Sequence, residues 1–176
     1  MGRQDSVDRF IESQVRDLYP SLDPEVEAAV ERFSKIAKYL DRTTERTVAE
    51  FGLNGGEFHV LQKVRCSPTQ TMTAGELAER LSLSSGAMTN RLDGLEEAGL
   101  ITRLRDPEDR RSVVVRLTDA GVGVMDRAVE TQGAVEERFL SVLSSSDGKK
   151  LNDLLRTLLL EIEDRTELRK ETAVRT

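Results

Sequence analysis

Residues 77–121 read LAERLSLSSGAMTNRLDGLEEAGLITRLRDPEDRRSVVVRLTDAG. Leu77, Ala78 and Leu81 share one face of a short helix that opens at the capping box Thr73-Ala74-Gly75-Glu76. Ser82-Leu83 turns the chain. Ser84 then caps a second helix running to about Ala98, with Met88, Leu92 and Leu95 facing inward and Gly99 as its C′ residue. Residues 101–105 and 112–117 alternate or carry β-branched side chains. The Asp106-Pro107-Glu108-Asp109-Arg110 segment between them has turn chemistry, so the pair reads as a hairpin. Two short helices, a tight turn and a charged hairpin follow one another without a spacer.

Outward from this unit the chain is helical. Val7, Phe10, Ile11, Val15 and Leu18 form one stripe, broken at Tyr19-Pro20. Asp23 caps a long second helix with Pro24 in its first turn. Its stripe is Val26, Val30, Phe33, Ala37, Leu40, Thr44 and Val48, widened by Ala29 and Ile36, and Gly52 ends it. Asn54-Gly55-Gly56-Glu57 is a capping box for a third helix, residues 55–65, that buries Phe58, Leu61 and Val64; a loop at residues 66–70 follows. Thr118-Asp119 caps a long helix to about Leu143, and a last helix spans about residues 148–164, with Leu151, Leu154, Leu155, Leu158 and Ile162 on one face. The expected organisation is 1–52, N-terminal dimerisation helices; 53–118, the central unit; 119–166, C-terminal dimerisation helices; and 167–176, a flexible tail. The terminal helices carry more apolar surface than the central unit can cover, and a second copy of the chain is the simplest sink for it.

Composition narrows the function. Of 176 residues, 38% are hydrophobic, 33% charged and 4% aromatic, with no Trp. No apolar run is long enough to span a bilayer and the polar N-terminus is unlike a signal peptide, so a cytoplasmic protein without a membrane partner is expected. The one cysteine, Cys66, excludes an internal disulfide framework. A net charge of −6 argues against a general nucleic-acid coat. The charge is uneven, however: residues 99–117 hold five arginines against three acids, whereas residues 119–165 hold ten acids against six bases. A basic ribbon on an acidic body suits a DNA reader with restrained background binding.

The second helix of the pair exposes Ser84, Ser85, Thr89, Asn90 and Asp93. Small hydroxyl and amide groups near a helix start permit close approach to phosphates and base edges. Asn90 can pair with adenine, and Ser85 and Thr89 can bond phosphates or bases. Gly86 and Ala87 leave room for a DNA backbone, with Ala87 able to touch a thymine methyl. Taken alone, these helices are equally an ordinary helical corner with solvated polar residues. The hairpin adds Arg105, Arg110 and Arg111, which can reach a narrow minor groove; the alternative is a solvated charged turn. The sequence therefore describes a mainly α protein: a winged helix-turn-helix with a two-stranded β wing and long N- and C-terminal dimerisation helices.

The stretch LSSGAMTNRLDGLEEAGLITR followed by RDPEDRRSVVVRLTDAG resembles the MarR family of winged-helix regulators, which shows D-x-x-D-R-R and L-T-x-x-G at these places. The resemblance covers about residues 21–164 in helix order. It implies a homodimer on palindromic promoter DNA, commonly a repressor released by a small ligand or by oxidation. The extra helix at residues 7–18 is similar to the subgroup of urate-responsive and PecS-like regulators. In that subgroup an Asp matches His59 and an Arg matches Arg91, both in a ligand pocket. Here the Arg agrees, the Asp is replaced and no Trp is present, which points away from urate. An Arg with a His suits a small anionic effector such as a carboxylate, and Arg103 completes the candidate ligand set. The structural alternative is a hydrogen-bonded core His and an Arg paired with an acid.

Other classes fare less well. There is no Gly-rich phosphate loop after a strand, no H-E-x-x-H and no G-x-S-x-G, so an enzyme is not expected. One His and one Cys make half a metal site at best, and no cofactor is expected. A redox-responsive regulator acting through Cys66, or a helical protein-interaction module without DNA binding, remain the alternatives.

Overall fold

The structure, a computed structural model, describes residues 4–105 and 112–174, with side chains through Thr166. The first helix, α1 (residues 6–18), opens with a capping box: Asp5 Oδ1 accepts from the Val7 and Asp8 amides at 2.7 and 2.9 Å, and Asp8 Oδ2 accepts from the Asp5 amide. Its middle, Ile11–Val15, is a π-helical turn. That turn holds more residues than an α-turn, so positions four apart stay aligned. Val7, Ile11 and Val15 accordingly bury together against Ala28. Phe10 and Leu18, expected on the same stripe, are exposed instead.

Helix α2 (Pro24–Ala49) starts at Asp23, whose carboxylate accepts from the Glu25 amide at 2.9 Å. Its apolar stripe changes character along its length: Thr47 and Val48 are buried, whereas Val26, Val30, Phe33 and Ile36 are at least 45% exposed. Helix α3 (Gly55–Arg65) carries the expected Asn54–Glu57 capping box, with both bonds at 2.9 Å. The Glu45 carboxylate of α2 accepts from the Gly55 amide at 3.0 Å, so side chains of two helices satisfy the donors of this helix start.

The expected two-stranded wing is part of a three-stranded antiparallel sheet, ordered β1-β3-β2. Strand β1 (Thr71–Thr73) sits where the sequence shows only a loop and a helix cap; it exists because Thr71, Met72 and Thr73 pair with Arg116, Val115 and Val114. Thr73 then caps α4 (Ala74–Arg80) with Glu76 as the reciprocal partner. Ser82, at φ 52°, turns the chain into α5 (Ser85–Glu97). Strands β2 (Ile101–Arg105) and β3 (Val113–Leu117) pair from Ile101–Leu117 to Arg105–Val113. The core lies between sheet and helices, on Leu61, Leu77, Met88, Leu92, Leu95, Ile101, Val115 and Met125.

The base of the wing is locked by the T-D-A-G segment. The Thr118 amide donates to the Leu100 carbonyl at 3.0 Å, and the Thr118 hydroxyl donates to the Gly99 carbonyl at 2.7 Å and accepts from the Gly121 amide at 3.0 Å. A Cβ on Gly121 would stand 1.9 Å from the Leu100 carbonyl oxygen, so only glycine permits this closure. Helix α6 (Asp119–Leu140) buries Met125, Ala128 and Gln132, and the Gln132 amide donates to the Thr44 hydroxyl of α2 at 3.0 Å.

Helix α7 (Ser145–Val174) runs past the end expected near Asp164, through residues expected to form a flexible tail. That tail is rich in Glu, Leu, Arg and Lys, all good helix formers. Two compact units result, residues 1–132 and 133–176. The division falls inside α6, not at the expected 118/119 boundary, because the first part of α6 belongs to the core around Met125 and Ala128.

Candidate nucleic-acid interface

Helix α5 has two unlike faces. Met88, Leu92 and Leu95 are at most 2% exposed and anchor it. Ser84, Ser85, Gly86, Thr89 and Asn90 are exposed on the other side, with Ala87 half-buried at the edge. Ser84 is the N-cap, and its Oγ accepts from the Ala87 amide at 3.3 Å. Thr89 donates its hydroxyl to the Ser85 carbonyl at 2.9 Å, which leaves its oxygen lone pairs as acceptors. Nothing lies within 4 Å of where a Gly86 Cβ would be, so the backbone there is open to a close partner. This face thus joins a helix start, hydroxyls and an amide on a bed fixed from behind.

Strand β2 joins this face through Arg103. The Glu96 carboxylate of α5 accepts three bonds from Arg103: from its amide at 3.2 Å, Nε at 2.8 Å and Nη2 at 2.6 Å. Asp93 stands 2.7 Å from the same Nη2. This side-chain pairing holds the Glu96 carboxyl below its usual range and raises Arg103 further. Arg103, expected in a ligand pocket, is thus paired with two carboxylates of α5. Residues ten and seven positions apart meet only because the chain reverses at Gly99, so periodicity gave no sign of Asp93 and Glu96 as its partners. Arg105, the last residue of β2, is exposed. Arg110 and Arg111 lie outside the described residues.

Arg91 and His59 both lie by the first turns of α3. The Arg91 guanidinium lies across Gly56: a Cβ there would be 2.7 Å from Arg91 Cζ. Arg91 is half-buried, and no carboxylate among the described residues pairs with it. His59 follows Gly56 by one turn of α3 and is exposed, in tilted contact with Phe58 at a ring separation of 5.8 Å. Cys66 is exposed at the end of α3.

A second group of basic residues lies on α2. Lys35, Lys38, Arg42 and Arg46 line a hollow of about 270 Å³ along α2 with Tyr39 and Thr43. Their spacing places them on the helix face opposite the apolar stripe, a pattern of charge that is legible in the sequence. Among the described residues no group of three His, Cys, Asp or Glu is placed to hold a metal ion, and no helix is long and apolar enough to cross a membrane.

The MarR family model matches residues 53–113, which are the central unit. Over 146 residues the chain is 30% identical to the HTH-type transcriptional regulator PecS of Dickeya dadantii, covering 82% of this chain and 88% of that protein. The chain belongs to the MarR family. Its MarR-family relatives are transcriptional regulators and not enzymes. The fold agrees with solved MarR-family structures. A cysteine-to-serine variant of Escherichia coli MarR, in complex with operator DNA, superposes with a TM-score of 0.68 at 24% identity, over 84% of this chain and 99% of that one. AbsC of Streptomyces coelicolor gives a TM-score of 0.73 at 22% identity, over 81% and 97%.

Proposed function

We propose that this MarR-family protein is a sequence-specific DNA-binding regulator that acts as a homodimeric repressor on palindromic promoter DNA and is released by a small anionic ligand. The carrying observation is the exposed face of α5, Ser84 to Asn90, held from behind by buried Met88, Leu92 and Leu95 and clamped to the wing by Arg103. Ser84, Ser85, Gly86, Ala87, Thr89 and Asn90 enter the major groove, and Arg105, Arg110 and Arg111 follow the adjacent phosphates or minor groove. Two such units about one DNA turn apart read the two halves of a palindrome. Relatives support the reading: the superposed Escherichia coli MarR variant was solved with operator DNA.

A gel-shift titration with operator fragments separates this function from a protein-interaction module. Arg110→Ala with Arg111→Ala should weaken promoter binding and flatten its salt dependence by roughly one unit of log–log slope per lost phosphate contact. Equal affinity and slope in the two proteins would remove the wing from the interface.

The anionic effector is supported by Arg91. The Arg91 guanidinium lies across Gly56 and forms no ion pair among the described residues, so it can take an anionic group, while Glu45 and Glu57 already serve the amides of this helix start. His59 is close enough along α3 to join the same ligand. Because Arg91 sits on the recognition helix, the ligand favours a helix position unsuited to DNA. Thermal-shift screening of carboxylates and purines, followed by gel shifts, identifies a ligand. Unchanged responses in Arg91→Ala and His59→Ala would place its site elsewhere.

A further inference from the structure

At the base of the wing, four elements border an open hollow of about 330 Å³, at the lower end of the size range of small-molecule sites. Its lining is Arg65 from the end of α3, Thr69 and Gln70 from the turn before β1, Arg116 and Leu117 from the end of β3, and Asp119 and Val122 from the first turn of α6. It lies at the end of β3 remote from Val113, and it contains neither His59, Arg91 nor any residue of α5.

The charges in this hollow are arranged unusually. Arg65 is balanced by Asp126, which accepts from its Nε at 3.0 Å and from Nη2 at 3.3 Å. Arg116 and Asp119 are each exposed, and neither has an ion-pair partner among the described residues, including each other. One cation and one anion therefore face the same small space unpaired. Leu117 and Val122 supply an aliphatic wall, and Gln70 an amide. A lone carboxylate would meet Asp119 and a lone amine would meet Arg116, so a ligand with only one charge is opposed by half of the lining. A ligand with both charges satisfies both, through charge-assisted hydrogen bonds.

We infer that this hollow binds a small aliphatic amino acid, its carboxylate on Arg116, its ammonium on Asp119 and its side chain against Leu117 and Val122. Binding is a property of the free protein and does not depend on the DNA reading. Its consequence does: an occupant would tie β3 of the wing to the start of α6, adding a second input to the regulator.

The test is an amide NMR titration of the full chain with L-leucine, beside isocaproate, which lacks the ammonium, and isoamylamine, which lacks the carboxylate. L-Leucine at up to about 10 mM should shift the amides of residues 65–70 and 116–122 in a saturable way, with each control binding at least about tenfold more weakly. Arg116→Gln and Asp119→Asn, shown to be folded by their unchanged remaining spectra, should each weaken leucine by about tenfold. No shift at those residues, or equal binding by the controls or by both variants, overturns the site. DNA affinity of the same samples, measured separately, reports on the regulator reading independently of this result.

Discussion

Two glycines separate folding from function at the scale of single residues. Gly121 faces a carbonyl oxygen that a methyl group cannot avoid, because the Leu100 oxygen is 1.9 Å from the Cβ position and backbone cannot swing away. Gly121→Ala should cost about 3 kcal/mol or more, the range of severe overpacking, and appear as a large loss of melting temperature. Gly86 has open space, so Gly86→Ala should fold as well as the wild type or gain up to about 1 kcal/mol of helix stability. Under the proposed DNA-binding function it should nevertheless lose operator affinity, because the methyl occupies the open space which that proposal gives to the DNA backbone. A Gly86→Ala protein that binds DNA like the wild type would remove that position from the interface. Arg103 makes a third residue-level case. Arg103→Ala leaves Asp93 and Glu96 as neighbouring unpaired acids on the recognition helix, and operator affinity should fall about tenfold, the size of one lost specific contact. The Glu96 carboxyl is held below its ordinary 4.5, so its contribution to stability is complete above that value and is lost as pH falls through the depressed one. The stability gap between wild type and Glu96→Gln should thus narrow on acidification below about pH 4.5. A gap independent of pH would mean that the pair carries no charge-dependent stability.

Elements differ in how much of them a sequence can show. Several features set by neighbours within four residues were legible: the Asn54–Glu57 and Thr73–Glu76 boxes, the Ser84 cap, and the Gly99 stop at φ 69°; the Asp5–Asp8 box of α1, equally local, was not among the expected caps. Strand β1 was not, because three residues make a strand only through their distant partners on β3. The π-turn of α1 was hidden for a related reason: it lets Val7, Ile11 and Val15 follow Ala28, a fit fixed by packing and not by local preference. The exposed and buried faces of α5 could be read from its periodicity, whereas the Arg103 clamp needed the chain reversal. The α1 element also carries a testable clasp. Arg32 of α2 reaches Asp5 at 3.0 Å and bonds Asp8 as well, and this pairing, chiefly the Arg32 hydrogen bond, lowers the Asp5 carboxyl from 3.8 to about 2. The clasp's charge-dependent contribution is present above about pH 4 and disappears between 3.8 and about 2 as Asp5 protonates. Arg32→Ala should speed amide hydrogen exchange over residues 6–18 at neutral pH while leaving residues 55–117 unchanged. Protection of α1 that is equal in both proteins would show that its apolar contacts alone hold it.

For the whole molecule, the decisive feature is apolar surface that the single chain leaves uncovered. Val26, Val30, Phe33 and Ile36 on α2, and Leu154, Leu158, Leu159 and Ile162 on α7, are each between 45% and 66% exposed. Scattered exposed leucines are ordinary, but continuous helical stripes of them mark an interaction surface. Obligate homodimers bury roughly 2,000–5,000 Å² of surface, and an unpaired charge placed at the centre of such an interface costs several kcal/mol of desolvation. Phe33→Asp and Leu158→Asp, made separately, should each weaken self-association by about a hundredfold or more, seen as monomer by light scattering at micromolar concentration. Each monomer should still contain a folded central core, because Leu61, Leu92 and Val115 are buried within residues 1–132 of the single chain. DNA binding is the sharper readout. A monomer with an intact α5 face can hold one half-site, so affinity for a single half-site should survive while the gain from a full palindrome is lost. If the aspartate variants stay dimeric, the exposed stripes are not the interface. If they become monomeric yet retain the full advantage of the palindrome, pairing of the two reading heads would have to be imposed by the DNA itself.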